Sequence, residues 1–372
     1  MTIRALVPFA LAATLALPAL AQTETPAPSP TEIVNAAPAE AWVAIPPEDL
    51  LVMTLAPDRD GNAREVVIQL MPEPFSQGWI ENIRTLARAN WYEGISVNRV
   101  QDNYVVQWGD PGYDNPEAEG AAKSLPAGLN VIGEDGYVAT GLFSIPDPRG
   151  RPRMNYALGA SAVRNARIAA EGGIEIPDKF REALEHGREM PDFNQPDMGD
   201  AYATFATLAL GWPIAGNLGG ESEGENTFWP VHCYGMVGVG RNLSPDTGTG
   251  AELYTVIGHA PRHLDRNIAL VGRIVSGMEH LSSLPRGSGA LGFYTEEEAD
   301  LRTPIQSIRV AADLPEDERR QFEYLSTESE TFADYAEARA NRRDPFFIQP
   351  AGGADICNIP VPVRAFEYDE PE

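Results

Sequence analysis

Positive charge is scarce in this 372-residue chain: 28 lysines and arginines stand against 54 aspartates and glutamates, a net charge of −26. Nucleic acids and anionic lipid surfaces are recognised by clustered cations, so this balance argues against both as partners. The chain lacks a G-x-S-x-G nucleophile elbow, a P-loop and a dinucleotide fingerprint, which argues against the enzyme classes built on those motifs. Beyond the N-terminal segment no apolar run approaches the roughly 20 residues that span a bilayer. Cysteine is nearly absent. Cys233 and Cys357 are the two present; they either pair in an oxidising compartment or remain two buried thiols. Neither carries a Cys-His signature of a nucleophile. His259 and His263 stand four apart in GHAPRHLD, with Asp265 close by. A metal-dependent hydrolase would rest on that pair alone, and Pro261 between them argues against the helix such a pair needs. They read as loop histidines, and no cofactor is expected.

Residues 1–21, MTIRALVPFALAATLALPALA, join a short basic start to an apolar run and an Ala-Leu-Ala ending. That is the grammar of a secretory signal cleaved after Ala21, so the expected location is the periplasm. Residues 22–47 are rich in Pro, Ala and Thr and read as a flexible leader. DLLVMTLA (Asp49 to Ala56) and REVVIQLMP then read as two strands about an Asp60-Gly61 turn. Asp58, Asp60 and Asn62 only superficially resemble a calcium loop, because the glycine and the closing Glu are misplaced. From Phe75 to Tyr92, apolar residues at Trp79, Ile80, Ile83, Leu86 and Ala87 have helical spacing. Two more strands follow in WYEGISVNRVQDNYVVQWGDPG. Strict alternation there would put Arg99 in line with apolar Ile95 and Val97, an odd place for a cation.

From Pro111 to Trp229 the pattern loosens. It holds a strand-like GYVATGLFSI, a helix over Asp178 to Glu189, and a loop in GWPIAGNLGGESEGEN. HCYGMVGVG, AELYTVIG, NIALVGRIV and TPIQSIRVAADL read as strands, with a short helix near Ser276. The tail from Pro315 to Arg343 is charged and helical in period. Residues 48–314 are thus expected to form one domain with an insertion at 111–229, followed by an extension over 315–372. The fold class is mainly β: a closed antiparallel barrel of about eight strands with few helices.

YEGISVNRVQDNYVVQWGDP resembles the signature of the cyclophilin family of peptidyl-prolyl isomerases, an aromatic-His-Arg-Val/Ile run followed by an aromatic, a hydrophobic residue and Gln-Gly-Gly-Asp. A second block, from Tyr234 to Glu279, is similar to that family's Gly-Ser-Gln-Phe-Phe-Ile strand and its later Leu-Asp and Gly-Lys/Arg pairs. The resemblance covers about Asp49 to Leu314 and implies a cyclophilin-like barrel capped by helices, with a long insertion and a helical C-terminal extension.

By this resemblance Arg99 falls on the catalytic arginine and Gln107 on the family's glutamine. Tyr104, Val105, Tyr254, His263 and Leu264 would bind the substrate proline, with Met236 beside them. The sequence departs from the pattern at Asn98 (a His in the family), Ala251-Glu252 (Ser-Gln), His263 (Trp) and Ile268 (His). The implied activity is prolyl isomerisation of proline-containing segments of client proteins, without a cofactor. The alternative is a barrel that binds or scaffolds peptides with little or no turnover. Nothing in the pattern sets an oligomeric state.

Overall fold

A computed structural model describes residues 26–112, 121–140, 200–203, 205–217, 227–349, 351 and 353–366. The expected signal segment, the helix over 178–189 and the later part of GYVATGLFSI lie outside these residues. Among the described residues the first regular elements are helix α1 (Pro30–Asn35) and strand β1 (Trp42–Ala44). Strands β2 (Leu50–Leu55) and β3 (Arg64–Leu70) form a hairpin, and helix α2 (Gln77–Arg88) comes next. A second hairpin joins β4 (Ser96–Val100) and β5 (Val105–Gly109). The insertion contributes β6 (Ala139–Thr140), β7 (Phe205–Ala209), β8 (Trp212–Asn217) and β9 (Thr227–Pro230). Then come β10 (Met236–Val239), β11 (Leu253–Val256), β12 (Leu270–Ser276), helix α3 (Glu279–Ser282) and β13 (Thr303–Val310). The extension supplies β14 (Gln321–Leu325), helix α4 (Glu330–Ala340) and β15 (Val363–Phe366).

Eight strands close into an antiparallel barrel in the order β10-β11-β5-β4-β13-β2-β3-β12. The inward residues of β2 and β3 (Leu51, Met53, Leu55, Val66, Ile68, Leu70) join the main core, with Trp79, Ile80, Ile83, Leu86 and Ala87 of α2. The amphipathic spacing of that helix is therefore the face it buries. The β2–β3 turn is held as a turn: Asp58 Oδ1 accepts from the backbone N–H groups of Asp60 (2.9 Å) and Asn62 (2.8 Å).

β2 is apolar on both sides because both sides are covered. Its outward Leu50, with Val67 of β3, packs against Ile45, Ala311 and Phe322 in a second cluster. Phe322 lies on β14, the central strand of a three-stranded sheet β1-β14-β15. Two expectations need correction here. The leader carries α1 and β1, and the extension begins with a strand before its helix. In β14, Phe322 and Leu325 are buried among Gln321 and Glu323; the neighbouring charges give the segment a helical look that long-range pairing overrides.

The segment GWPIAGN, expected as a loop, is strand β8. It sits inside a four-stranded sheet, β6-β9-β8-β7, with Trp212 to Gly216 buried. Such a doubly covered strand shows no alternation. Leu210 and Gly211, both at positive φ (54° and 81°), form its tight hairpin turn with β7. Arg273 of β12 fastens this turn to the barrel: it donates to Gly211 O (2.8 Å) and Gln69 Oε1 (2.9 Å), and its guanidinium lies 4.4 Å from the Trp212 ring centre. Burial pulls its pKa down to about 9.

Cys233 and Cys357 are joined in a disulfide across a sequence separation of 124, tying the extension to the approach to β10. Closing so long a loop restricts the unfolded chain, so reduction or Cys357→Ser should cost about 2–5 kcal/mol of stability. Chemical unfolding with and without reductant measures this. An unchanged midpoint would mean that the apolar clusters alone hold the extension.

Candidate active site

The placement of Arg99 begins with a bulge. In the β4–β5 ladder Val97 pairs with Trp108, and the next pair is Arg99 with Gln107, so Asn98 is the extra residue. An inserted residue flips the side chains beyond it to the opposite face of the strand. Val97 and Val100 both reach the main core, while Arg99 turns outward. The odd alternation in the sequence is thereby resolved. In the next ladder Gln107 pairs with Tyr254 of β11. One row, Arg99–Gln107–Tyr254, therefore crosses three strands on the outer face of the barrel.

The row is held tightly. Arg99 Nε donates to Leu291 O (2.8 Å), one terminal nitrogen donates to Gln107 Oε1 (3.1 Å), and the other donates to Gln101 Oε1. Of the five N–H groups of a guanidinium, about two are left for a ligand. The cation sits 5.6 Å from the Tyr104 ring centre and 5.4 Å from that of Phe293. Burial lowers its pKa, and the two nearby tyrosines, Tyr104 and Tyr254, act the other way.

Beside the guanidinium, Val105, Tyr254 and Val256 form a separate apolar cluster with Tyr104 and Ile268 packed on its edge. Its floor is well covered: Val105 is 2% and Tyr254 4% exposed. Tyr104, Leu264 and Ile268 are half-buried, and His263 is exposed, its ring stacked on Tyr104 at 6.4 Å. Met236 instead packs into the main core, apart from this cluster. Among the described residues no group of three or more His, Cys, Asp or Glu is placed to hold a metal ion.

Three residues of the site escape sequence reasoning. His232 lies under the floor, where its Nε2 is 2.8 Å from the Tyr254 hydroxyl and its Nδ1 2.8 Å from Asp265 Oδ1. It sits in PVHCYG with no spacing signal. In the sequence Asp265 is half of a Leu-Asp match, with nothing to mark it as a partner of histidine. Asn98 is visible there as a departure from a pattern, but not as a bulge.

Glu252 stands where the resemblance implies glutamine. It is 5% exposed, and its Oε1 accepts the Asp110 backbone N–H at 2.8 Å. Gly109 makes room for it, since a Cβ there would lie 1.9 Å from Oε1. Burial pushes this carboxyl up to about 8, the backbone bond from Asp110 and the amides of Gln107 and Asn98 pull it down, and the charge of Asp110 adds to the rise.

No family model matches the chain, and no curated protein does. Among solved structures, the chain is similar to the cyclophilin AquaCyp293 from Hirschia baltica, at 18% identity over 88% of this chain and 95% of that one, with a TM-score of 0.54. A cyclophilin-type peptidyl-prolyl cis-trans isomerase from Cryptosporidium parvum, solved with the dipeptide Ala-Pro, matches at 9% identity, covering 70% of this chain and 97% of its own, with a TM-score of 0.32. A closed eight-stranded barrel similar to AquaCyp293 has the cyclophilin fold. Within it, this chain carries an outward Arg–Gln–Tyr row beside an apolar cluster.

The Glu252 carboxyl gives a stability signature. Its folded pKa of about 8 exceeds the unfolded value of 4.5. Its contribution is therefore complete below pH 4.5 and is lost as pH rises to about 8. Glu252→Gln removes this titration and should grow more stable relative to wild type by up to roughly 1.4 kcal/mol per pH unit across that window. Denaturant unfolding of both proteins over that range tests it; parallel stability curves would show that the carboxyl is ionised throughout.

Proposed function

We propose that the protein is a peptidyl-prolyl cis-trans isomerase acting on proline-containing segments of other exported proteins. The observation that carries this reading is the shared row of Arg99, Gln107 and Tyr254, with Tyr104 and Val105 beside it. Rotation about an X-Pro bond crosses a barrier of about 18–20 kcal/mol because amide resonance holds the bond planar. Uncatalysed, it takes tens to hundreds of seconds, slow enough to limit folding. No covalent bond forms or breaks, so neither a nucleophile nor a metal is required.

In the twisted state the proline nitrogen becomes pyramidal and gains a lone pair. An N–H of Arg99 donates to that lone pair, an interaction absent from the planar ground state and therefore effective in lowering the barrier. Gln107 fixes the guanidinium through its Oε1. The ring of the substrate proline packs against Tyr104, Val105 and Tyr254, which hold it while the carbonyl side turns. Leu264 and His263 form the rim.

Two observations support export: the composition of residues 1–21, and a disulfide of the kind that persists in oxidising compartments. No helix among the described residues is long and apolar enough to cross a membrane. We therefore assign the protein to the periplasm as part of the same proposal.

The near-closed floor and the rim residues Ile268 and His263 favour one second reading, a cyclophilin-fold module that binds peptide with little turnover. A protease-coupled assay on a proline tetrapeptide separates the two. Arg99→Ala should lower kcat/KM by roughly 10²–10³-fold, the scale of removing one preorganised donor. Arg99→Lys should recover little of it, since an ammonium has three N–H groups and no planar fork, so that meeting Leu291, Gln101 and Gln107 would leave none for proline. Equal rates for wild type and Arg99→Ala would favour the binding module.

A further inference from the structure

Beneath the pocket floor runs a buried polar chain that leads out to the insertion. The Tyr254 hydroxyl meets His232 Nε2 at 2.8 Å, and His232 Nδ1 meets Asp265 Oδ1 at 2.8 Å. The same carboxylate oxygen also accepts the His232 backbone N–H at 3.1 Å. Arg262 Nε donates to Asp265 Oδ2 at 2.6 Å, and Arg262 Nη1 donates to Asp200 Oδ2 at 2.6 Å. The side chains of Arg262, Asp265, His232 and Asp200 are each 5% exposed or less. Asp200 lies in the insertion, and Tyr202, two residues on, places its ring 5.0 Å from the Arg262 guanidinium.

We propose that this relay positions the floor of the pocket, and that the insertion anchors its far end through Asp200. The inference rests on the isomerase reading for its kinetic consequence, but not for the relay itself. The chemistry explains each member. By the cyclophilin resemblance Tyr254 stands at the second Phe of Gly-Ser-Gln-Phe-Phe-Ile, and a tyrosine there brings a hydroxyl into an apolar floor, where it must find a partner. The neutral imidazole supplies one: with Nδ1–H donating to Asp265, Nε2 is left to accept from the Tyr254 O–H.

Burial holds His232 below its ordinary pKa, against the pull of Asp265. Asp265 in turn needs a cation, because histidine stays neutral; Arg262 provides it and is itself balanced by Asp200. Each link also limits the tilt of the next ring. The Tyr254 and His232 rings lie nearly parallel, at 8° between planes and 6.4 Å between centres. A Cβ at position 238 would come within 2.3 Å of the Tyr254 hydroxyl, so the ring lies directly over Gly238 of the neighbouring strand. None of these residues is open to a substrate. They act through Tyr254 and are positioning residues.

The test uses the full chain labelled with 15N-histidine, in wild type, Asp200→Ala and Tyr254→Phe. Tyr254→Phe deletes one hydroxyl and gives a second route if Asp200→Ala folds poorly. Wild-type His232 should show the Nδ1–H tautomer, with Nε2 shifted as a hydrogen-bond acceptor. Tyr254→Phe should move the Nε2 signal, and Asp200→Ala should move both ring nitrogens although it lies outside the pocket. In the proline-peptide assay both variants should raise KM by roughly three- to tenfold, the scale of one net hydrogen bond, with kcat within about twofold. A floor that grips the proline ring equally in planar and twisted states has this signature.

If Asp200→Ala changes thermal stability but leaves the His232 nitrogens and KM at wild-type values, the anchor is merely structural and the proposal is overturned. A wild-type protein without turnover would instead remove the isomerase reading. Peptide affinity by titration then takes the place of KM, and the nitrogen shifts still decide whether the relay exists.

Discussion

One inserted residue governs the outer face of this barrel. Without an extra position at Asn98, the alternation of β4 would carry Arg99 inward with Val97, into a core that has no partner for a cation. The bulge lets Val97 and Val100 both remain inside while Arg99 faces out, opposite Gln107. Everything chemical about the site depends on that reversal: the guanidinium reaches the apolar cluster, Gln107 can brace it, and Tyr254 completes the row one strand further on. Leu291 O and Gln101 hold two further N–H groups, so three acceptors orient the cation and about two N–H groups stay available.

Polar groups in covered places are kept there by three different means. Arg273 joins the insertion's hairpin to the barrel without an acidic partner, relying on two carbonyl acceptors and the Trp212 face. Glu252 sits beside Gly109 with its Oε1 accepting the Asp110 backbone N–H, and burial pushes its carboxyl up to about 8. The His232–Asp265–Arg262–Asp200 chain solves the same problem by hydrogen-bonding every member, with Arg262 between the two carboxylates and His232 neutral at the end. These additions explain why a barrel of ordinary size carries so much extra chain. The C-terminal sheet covers the outside of β2 and β3, the insertion docks through the Gly211–Arg273 and Asp200–Arg262 contacts, and the disulfide ties the extension back to the approach to β10.

How far the sequence could be read depended on the range of the forces involved. The β2–β3 hairpin, α2 and β13 were legible because their periodicity is local and their buried faces match it. The closed barrel is legible in the order of the strand-like runs, whereas the roles proposed for Arg99, Gln107 and Tyr254 rest on a resemblance to a family rather than on spacing. β8 was missed because burial on both faces erases alternation, and β14 because its flanking charges imitate a helix. His259 and His263 drew attention as a pair. The histidine in the network is His232, whose partners lie 22 and 33 positions away and leave no local pattern. Met236 had the right neighbours in sequence, but its side chain points into the main core.

The isomerase activity proposed for this site turns on whether the outward guanidinium meets proline. Its most direct test tracks the arginine side-chain N–H signals of the labelled protein during titration with a proline tetrapeptide. The Arg99 Nε–H resonance, held by Leu291 O in the free protein, should shift progressively, together with the backbone amides of Gln107 and Tyr254, while that of Arg88, on α2, stays still. Peptide-dependent shifts elsewhere, with Arg99 unmoved, would contradict it.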